Sequence, residues 1–187
     1  RKPKYIYSLR FERGKGSEHS PGISWKNSSR AFIKFMPRDN LSFNMSYNHS
    51  TENNWLNWLD DNLLATYERK QRTSVFELEW FKNNKHELRI KAQLVAFTGR
   101  SPTPYLGDQK GKLTPTNISI SPITISELAF QVRYRYEIMP LSYLYLVYSK
   151  GGRVSLNDEE DDLSNLYRRP WNDPEKENFT VKLRYRF

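Results

Sequence analysis

Residues 177–187 alternate strictly between apolar and polar side chains. The apolar positions of this stretch are Phe179, Val181, Leu183, Tyr185 and Phe187, and the intervening ones are Thr180, Lys182, Arg184 and Arg186. A period of two places the two sets on opposite faces of a β-strand. The pattern therefore predicts a strand that has one apolar face and one cationic face.

The same alternation recurs along the chain and predicts seven further strands. We place them at residues 5–12, 23–35, 40–48, 73–81, 86–97, 125–138 and 142–150. Short turns are predicted at residues 37–39, 83–85 and 139–141, and long connections at residues 13–21, 49–70, 98–124 and 151–176. Within the second long connection, the spacing of Trp55, Leu59, Leu63 and Tyr67 predicts one or two helical turns.

The three short turns fix a register for three hairpins. The first pairs Phe35 with Leu41, Ile33 with Phe43, Ala31 with Met45 and Lys34 with Ser42. The second pairs Glu79 with Arg89, Glu77 with Lys91 and Trp80 with Leu88, and the third pairs Tyr136 with Leu144 and Tyr134 with Leu146. Each register keeps apolar residues opposite apolar ones, and a slip of one residue would destroy that match.

Alternating short and long connections are typical of an antiparallel transmembrane β-barrel with short periplasmic turns and long outer loops. Strands of 9–11 residues suit a tilted crossing of the hydrocarbon core. A final strand with an aromatic end and a lipid-facing side is common in bacterial outer-membrane barrels. The sequence thus predicts an all-β fold of this class, as a single domain over residues 1–187 and located in the bacterial outer membrane.

Each face of the predicted barrel wall has its own candidate residues. The charged residues predicted to face the lumen are Arg30, Lys34, Glu77, Glu79, Arg89, Lys91, Glu127, Arg133, Arg135, Lys182, Arg184 and Arg186. The residues predicted to face lipid are Phe76, Leu78, Trp80, Leu128, Phe130, Val132, Tyr134, Phe179, Val181, Leu183, Tyr185 and Phe187. Tyr143, Tyr145 and Val147 are expected to point inward.

The number of inward charges bears on the width of the barrel. Eight strands leave a lumen that is just filled by side chains, and many charges packed there would be costly to desolvate. We therefore expect these eight strands to form the C-terminal part of a larger, wetter barrel, with further strands before Arg1. A closed eight-stranded barrel with a core of ion pairs is the alternative.

Composition narrows the remaining function classes. The mean hydropathy of −0.83 excludes a helical membrane span, and the absence of cysteine excludes disulfides and thiolate metal sites. The net charge of +9 suits nucleic acid in principle, but the basic and aromatic residues of 132–136 face opposite ways, so no nucleic-acid partner is expected. We find no cofactor, metal or catalytic site. The acidic run 158–162 is read as a solvated loop rather than a cation site, and Glu77 and Glu79 as ion-pair partners.

Residues 125–152 (ISELAFQVRYRYEIMPLSYLYLVYSKGG), residues 71–99 and the final VKLRYRF resemble the domain-of-unknown-function 5916 family. The resemblance covers about the last two-thirds of the chain. It implies an outer-membrane barrel that follows an N-terminal domain like carbohydrate-binding module family 9. No catalytic motif is settled for the barrel part of that family, so the resemblance assigns no catalytic residue to this sequence.

Three functions remain open at this stage. The first is a porin-like pore or membrane anchor of a Gram-negative outer membrane, without enzymatic activity of its own, with a basic lumen that favours anionic solutes. Its partners would be outer-membrane lipid, lipopolysaccharide and the barrel-assembly machinery, which would bind the C-terminal strand. The second is the barrel part of a carbohydrate-binding or carbohydrate-processing surface protein. The third is a soluble β-barrel or sandwich whose apolar face lines a dry interior for an apolar ligand.

Overall fold

The computed structural model describes residues 3–16, 22–160 and 162–186. They form one antiparallel sheet of nine strands and one short helix. The elements are β1 Lys4–Gly16, β2 Ser24–Arg38, β3 Leu41–Asp60, β4 Leu63–Asn83, β5 His86–Gly107, β6 Leu113–Pro115, β7 Ile123–Met139, β8 Ser142–Leu156, α1 Leu163–Asn172 and β9 Lys176–Arg184.

The eight long strands follow one another across the sheet in chain order. The three-residue strand β6 lies off this path and pairs only with the end of β5. Strands β1 and β9 form the two edges, and no ladder joins them within the described residues. The prediction of an all-β antiparallel fold is therefore confirmed, with an open sheet in the described part of the chain.

Two of the three predicted hairpin registers are confirmed. Glu77 lies opposite Lys91 and Glu79 opposite Arg89. Tyr134 lies opposite Leu146 in the β7–β8 hairpin. These turns occur where the alternating pattern predicts them, so the apolar positions of both strands share one face.

The predicted register of the β2–β3 hairpin is wrong by two residues. Phe35 pairs with Phe43 and Ile33 with Met45, because the turn lies at residues 39–40 and not at residues 37–39. A bulge also interrupts the ladder between Phe35 and Arg38. Pro37 is within the bulge and has no N–H to donate to the ladder, which explains the interruption. A shift of two residues leaves each side chain on its predicted face.

The long connection predicted at residues 49–70 is wrong, as are its helical turns. Strands β3 and β4 continue through this region to a turn at Asp61 and Asn62, where Asp61 has a φ of 40°. Aspartate tolerates this left-handed conformation better than most residues. Trp55 and Tyr67, whose spacing looked helical, are paired across the hairpin with ring centroids 6.2 Å apart.

The other two predicted long connections within the described residues are shorter than expected. Strand β5 continues to Gly107, and β8 to Leu156. The segment 157–175 contains α1, which the sequence pattern did not predict. The loop between β1 and β2 lies largely outside the described residues.

Helix α1 is fixed to the sheet by buried hydroxyl groups. The hydroxyl of Thr98 donates to the carbonyl oxygen of Glu160 at 2.9 Å, and that of Thr124 to the carbonyl oxygen of Asp158 at 2.8 Å. The Ser126 hydroxyl donates to the carbonyl oxygen of Leu166. The Asp162 carboxylate caps the helix by accepting from the Ser164 N–H at 3.0 Å. These bonds hold α1 against β7 and β8, near the β9 edge of the sheet.

A glycine allows the end of α1 to approach strand β8. A Cβ atom at Gly152 would clash with the carbonyl oxygen of Pro170, whereas one at Gly151 would meet only the Leu128 carbonyl oxygen at 3.4 Å. We expect Gly152→Ala to displace α1 at a cost of about 1–3 kcal/mol. Trypsin should then cleave after Arg168 faster than in the wild-type chain. Gly151→Ala is the matched control, and equal cleavage of both variants would contradict this role of Gly152.

Candidate functional site

The strand registers bring the predicted charged residues together on one side of the sheet, here called the charged face. It holds every predicted lumen-facing residue that lies within a strand. They are Arg30, Lys34, Glu77, Glu79, Arg89, Lys91, Glu127, Arg133, Arg135, Lys182 and Arg184. Tyr143, Tyr145 and Val147 share this face. Arg186 follows the end of β9, and its N–H donates to the Ser142 hydroxyl at 3.0 Å.

The opposite side, the apolar face, collects the predicted lipid-facing residues that lie within strands. They are Phe76, Leu78, Trp80, Leu128, Phe130, Val132, Tyr134, Phe179, Val181 and Leu183. Tyr185 follows the end of β9, and Phe187 lies outside the described residues. Tyr7, Met45 and Phe179 on this face have exposed fractions of 79%, 58% and 67%.

The apolar face is a band that ends at a common level on neighbouring strands. On β3 the side chains of this face are Leu41, Phe43, Met45 and Tyr47, followed by His49 and Thr51. On β4 they are Trp80, Leu78 and Phe76, followed by Ser74, Arg72 and Lys70. On β7 they run from Tyr136 to Leu128, followed by Ser126 and Thr124. Each of these three strands thus has an apolar half next to a short turn and a polar half beyond it.

The height of this band can be compared with the apolar band of outer-membrane barrels. The eight residue steps from Tyr136 to Leu128 span ~27 Å along the strand at about 3.4 Å per residue. A tilt of about 40° would reduce this to ~21 Å, close to the ~25 Å apolar band of outer-membrane barrels. The remaining length of the strands extends beyond the band.

Ion pairs link neighbouring strands across the charged face. Lys91 Nζ lies 2.9 Å from Glu77 Oε1, and Arg89 Nη1 lies 3.6 Å from Glu79 Oε1, as the sequence predicts. Glu87 occupies the centre of a larger network, with the guanidinium groups of Arg89 and Arg135 on either side and Arg135 at 2.9 Å. Its side chain is 8% exposed. The Arg135 guanidinium also lies 5.3 Å from the centre of the Tyr143 ring.

A second cluster lies on the charged face beyond the apolar band. The guanidinium of Arg69 lies 4.9 Å from the Trp55 ring centre and 5.9 Å from that of Phe97. Burial lowers the pKa of Arg69, and the carboxylate of Glu52, 3.7 Å away, offsets part of this shift. Burial also raises the pKa of the adjoining Tyr67 hydroxyl. Cation–π contacts and one ion pair therefore hold this end of the sheet together.

One pair of opposite charges interrupts the apolar face. Lys150 and Glu177 are paired across β8 and β9, with Nζ and Oε2 4.0 Å apart. The Tyr148 hydroxyl donates to Glu177 Oε1 at 2.6 Å, and Lys150 Nζ lies 4.7 Å from the Trp171 ring centre. The two charges are therefore neutralised locally, and α1 partly covers them.

Helix α1 covers part of the apolar face, which the sequence did not predict. Leu128, predicted to face lipid, is 4% exposed, because the segment that carries α1 lies over it. Phe130 meets the edge of the Trp171 ring, with centroids 5.4 Å apart. A cleft of about 800 Å³ separates α1 from the strands and is lined by Met45, Phe76, Ala92 and Leu94 among others.

The acidic run at residues 158–162 has structural partners within the protein. Glu159 Oε1 lies 2.7 Å from Arg100 Nε, Glu160 Oε2 lies 3.4 Å from Arg169 Nη2, and Asp162 caps α1. Asp161 lies outside the described residues. In the described part of the chain, no group of three or more potential metal ligands is found. Among the same residues, no helix is long and apolar enough to span a membrane.

Comparison with known proteins finds no matching protein-family model and no matching curated protein. The resemblance to the domain-of-unknown-function 5916 family, and the sugar-binding context that it implies, therefore stay predictions.

The sequence pattern missed two features of these surfaces. The sequence around Glu87 contains no pattern that predicts its position at the centre of an ion-pair network. Its pairing with Arg135 follows only from the ladder between β5 and β7, two strands that are separated by 15 residues of the chain. Helix α1 has an amphipathic pattern in Leu163, Leu166, Tyr167 and Pro170 that follows Asp162 as a potential N-cap. That cap could have revealed the helix.

Removing the charge of Glu87 should weaken the sheet. Glu87→Gln leaves two neighbouring guanidinium groups without their shared carboxylate, and we expect a loss of about 2 kcal/mol in the free energy of unfolding, measured by urea titration in detergent micelles. Glu127→Gln is the control, because its pair with Arg153 is exposed and should contribute at most about 1 kcal/mol. If the two variants lose the same stability, Glu87 is not the centre of the network.

Proposed function

We propose that this chain forms part of the wall of a bacterial outer-membrane β-barrel that serves as a pore or anchor. The observation that carries the proposal is the apolar band, which runs at one level across the sheet and has charged residues on its opposite side. In water, so large a set of exposed apolar side chains would favour association. Against lipid, the same side chains are in their preferred solvent, while the charges line an aqueous lumen.

The open edges of the sheet support a barrel that is completed by additional pairing. Strand β1 and strand β9 each present one unpaired edge within the described residues. In a bilayer such edges are not tolerated, because unsatisfied N–H and C=O groups find no water there. We infer that β1 and β9 pair with further strands of a wider barrel. The many charges on the charged face favour this arrangement over direct closure of β1 onto β9.

The composition of the charged face favours anionic solutes. Of its predicted lumen-facing residues within strands, eight are basic and three are acidic, and the three acidic ones each pair with a basic neighbour. Arg30, Lys34 and Arg133 are three of these eight basic residues. A lumen with this excess would attract anions and repel cations.

A second candidate is a soluble β-protein that binds an apolar ligand. The observation in its favour is the position of α1, which packs on the apolar face and buries Leu128 together with Leu94. In such a protein the apolar face would point to a dry interior, and the charged face would meet water. The two candidates therefore differ in the solvent that each face contacts.

Folding in different solvents separates the two candidates. We expect the chain to aggregate in plain buffer, to fold in detergent micelles and to migrate differently on gels before and after heating. Lipids with brominated acyl chains should quench Trp80, which lies on the apolar band. Trp80→Phe should reduce this quenching, whereas Trp55→Phe on the charged face should leave it unchanged. A folded monomer in buffer without detergent would exclude the membrane proposal.

A charge placed on the band should oppose insertion into a bilayer. We expect Met45→Arg to reduce the free energy of folding into vesicles by about 2–4 kcal/mol, since Met45 lies within the apolar band. Ser46→Arg is the matched control, because this neighbouring side chain faces the charged side of the sheet. The measurement is the urea dependence of folding into vesicles. Equal losses for both variants would contradict the assignment of the two faces.

A further inference from the structure

The cleft between α1 and the apolar face has the lining of a site for an apolar chain. Its volume is about 800 Å³, within the range of small-molecule sites. Phe76, Ala92 and Leu94 form its floor on the sheet, and Leu163 and Tyr167 form its wall on α1. Leu163 and Tyr167 remain exposed although each contributes to the wall. The cleft therefore offers apolar surface that the protein itself does not fill.

The charge of the cleft is concentrated in one side chain. Among the described residues that line it, Arg168 is the only one that carries a full charge. Arg168 is exposed on α1, and its Nη2 lies 3.1 Å from the Asn165 side-chain oxygen. An apolar trough with one guanidinium beside it complements a molecule that has a hydrocarbon chain and an anionic group. Guanidinium is well suited to phosphate, because it donates two parallel hydrogen bonds.

The position of the cleft along the strands matches the edge of a membrane. Met45, Phe76 and Phe130 line the cleft within the apolar band, and the band becomes polar one to two positions further along each strand. Tyr167 and Trp171 of α1 stack at this boundary, with ring centroids 6.2 Å apart and an interplanar angle of 11°. Aromatic side chains of this kind are enriched where hydrocarbon meets lipid headgroups. In the proposed barrel, α1 would lie at the interface with its apolar side toward the wall.

We propose that this cleft binds an acyl chain of a phosphate-bearing membrane lipid, with Arg168 contacting the lipid phosphate. The inference rests on the proposed membrane location, because only there is such a lipid the surrounding solvent. The acyl chain would cover the floor at Phe76, Ala92 and Leu94, and the phosphate would remain in the headgroup region. Helix α1 would thus act as a clamp that holds one lipid against the outer wall of the barrel.

Native mass spectrometry of the full chain in non-ionic detergent micelles tests this site. The probes are dimyristoyl-phosphatidylglycerol and dimyristoylglycerol, which carry the same acyl chains with and without a phosphate. We expect the wild-type chain to retain one phosphatidylglycerol with about tenfold preference over the diglyceride. Arg168→Gln should abolish this preference. Ala92→Phe, which fills the floor, should reduce the binding of both probes.

Two control variants test whether a change in lipid binding is specific to the cleft. Arg169→Gln removes a neighbouring charge that pairs with Glu160, and it should leave lipid binding unchanged. Ala129→Phe adds the same volume as Ala92→Phe, but on the exposed charged face, and should also have no effect. Wild-type lipid binding in Arg168→Gln, or in Ala92→Phe, would overturn the proposal.

The fold in micelles distinguishes failure of the site from failure of the membrane proposal. If the chain shows heat-modifiable migration but its lipid preference does not depend on Arg168, the barrel proposal stands and the lipid-site proposal fails. If the chain folds as a monomer in buffer without detergent, the membrane-barrel proposal fails. In that case the lipid site is tested in buffer with short-chain dihexanoyl versions of the two probes. Equal binding of the phosphate-bearing probe by the wild type and by Arg168→Gln would overturn the lipid-site proposal in buffer as well.

Discussion

The antiparallel hydrogen-bond ladder that runs through eight long strands is the constraint on which the rest of this structure depends. Because side chains alternate along each strand, one register sets the face of every residue up to the next bulge, and the next ladder passes that assignment to its neighbour. Glu77 therefore shares a face with Lys91, and Phe76 shares the other face with Ala92. The charged face and the apolar face therefore arise together. A slip of one residue in the register of a strand would place its charged side chains on the apolar face and its apolar side chains on the charged face.

This two-faced sheet places different physical demands on its two sides. Charges on one side approach each other in pairs, and the partly exposed pairs contribute little stability, while the carboxylate of Glu87 is buried between two guanidinium groups. The other side exposes aromatic and aliphatic groups that no described element covers, except where α1 lies over Leu94 and Leu128. The proposed outer-membrane wall would meet both demands, since water would contact the charges and lipid would contact the apolar band.

Sequence periodicity was most informative where alternation and a tight turn occurred together. The hairpins around Asn84 and Pro140 were predictable to the residue, because each turn is short and a slip would expose the apolar side. The hairpin that contains Pro37 was predictable in face but not in register, because its turn lies at residues 39–40 and not around Pro37, where the proline indicated it. The region around Trp55 and Tyr67 was misread, since apolar residues four apart fit a helix as well as a hairpin whose turn lies between them. The turn signal at Asp61 and Asn62 was the better guide.

The sequence by itself determined which residues could share a face, because period-two alternation is a property of each strand alone. It thereby determined the all-β class, the opposite placement of Phe179 and Lys182, and the pairing of Glu77 with Lys91. Only the tertiary structure decided what depends on contacts between segments distant in the chain. It brought Glu87 to Arg135, and it laid α1 across the apolar face to form a cleft beside Arg168. Those contacts depend on how strands and helix meet in space, which local periodicity does not encode.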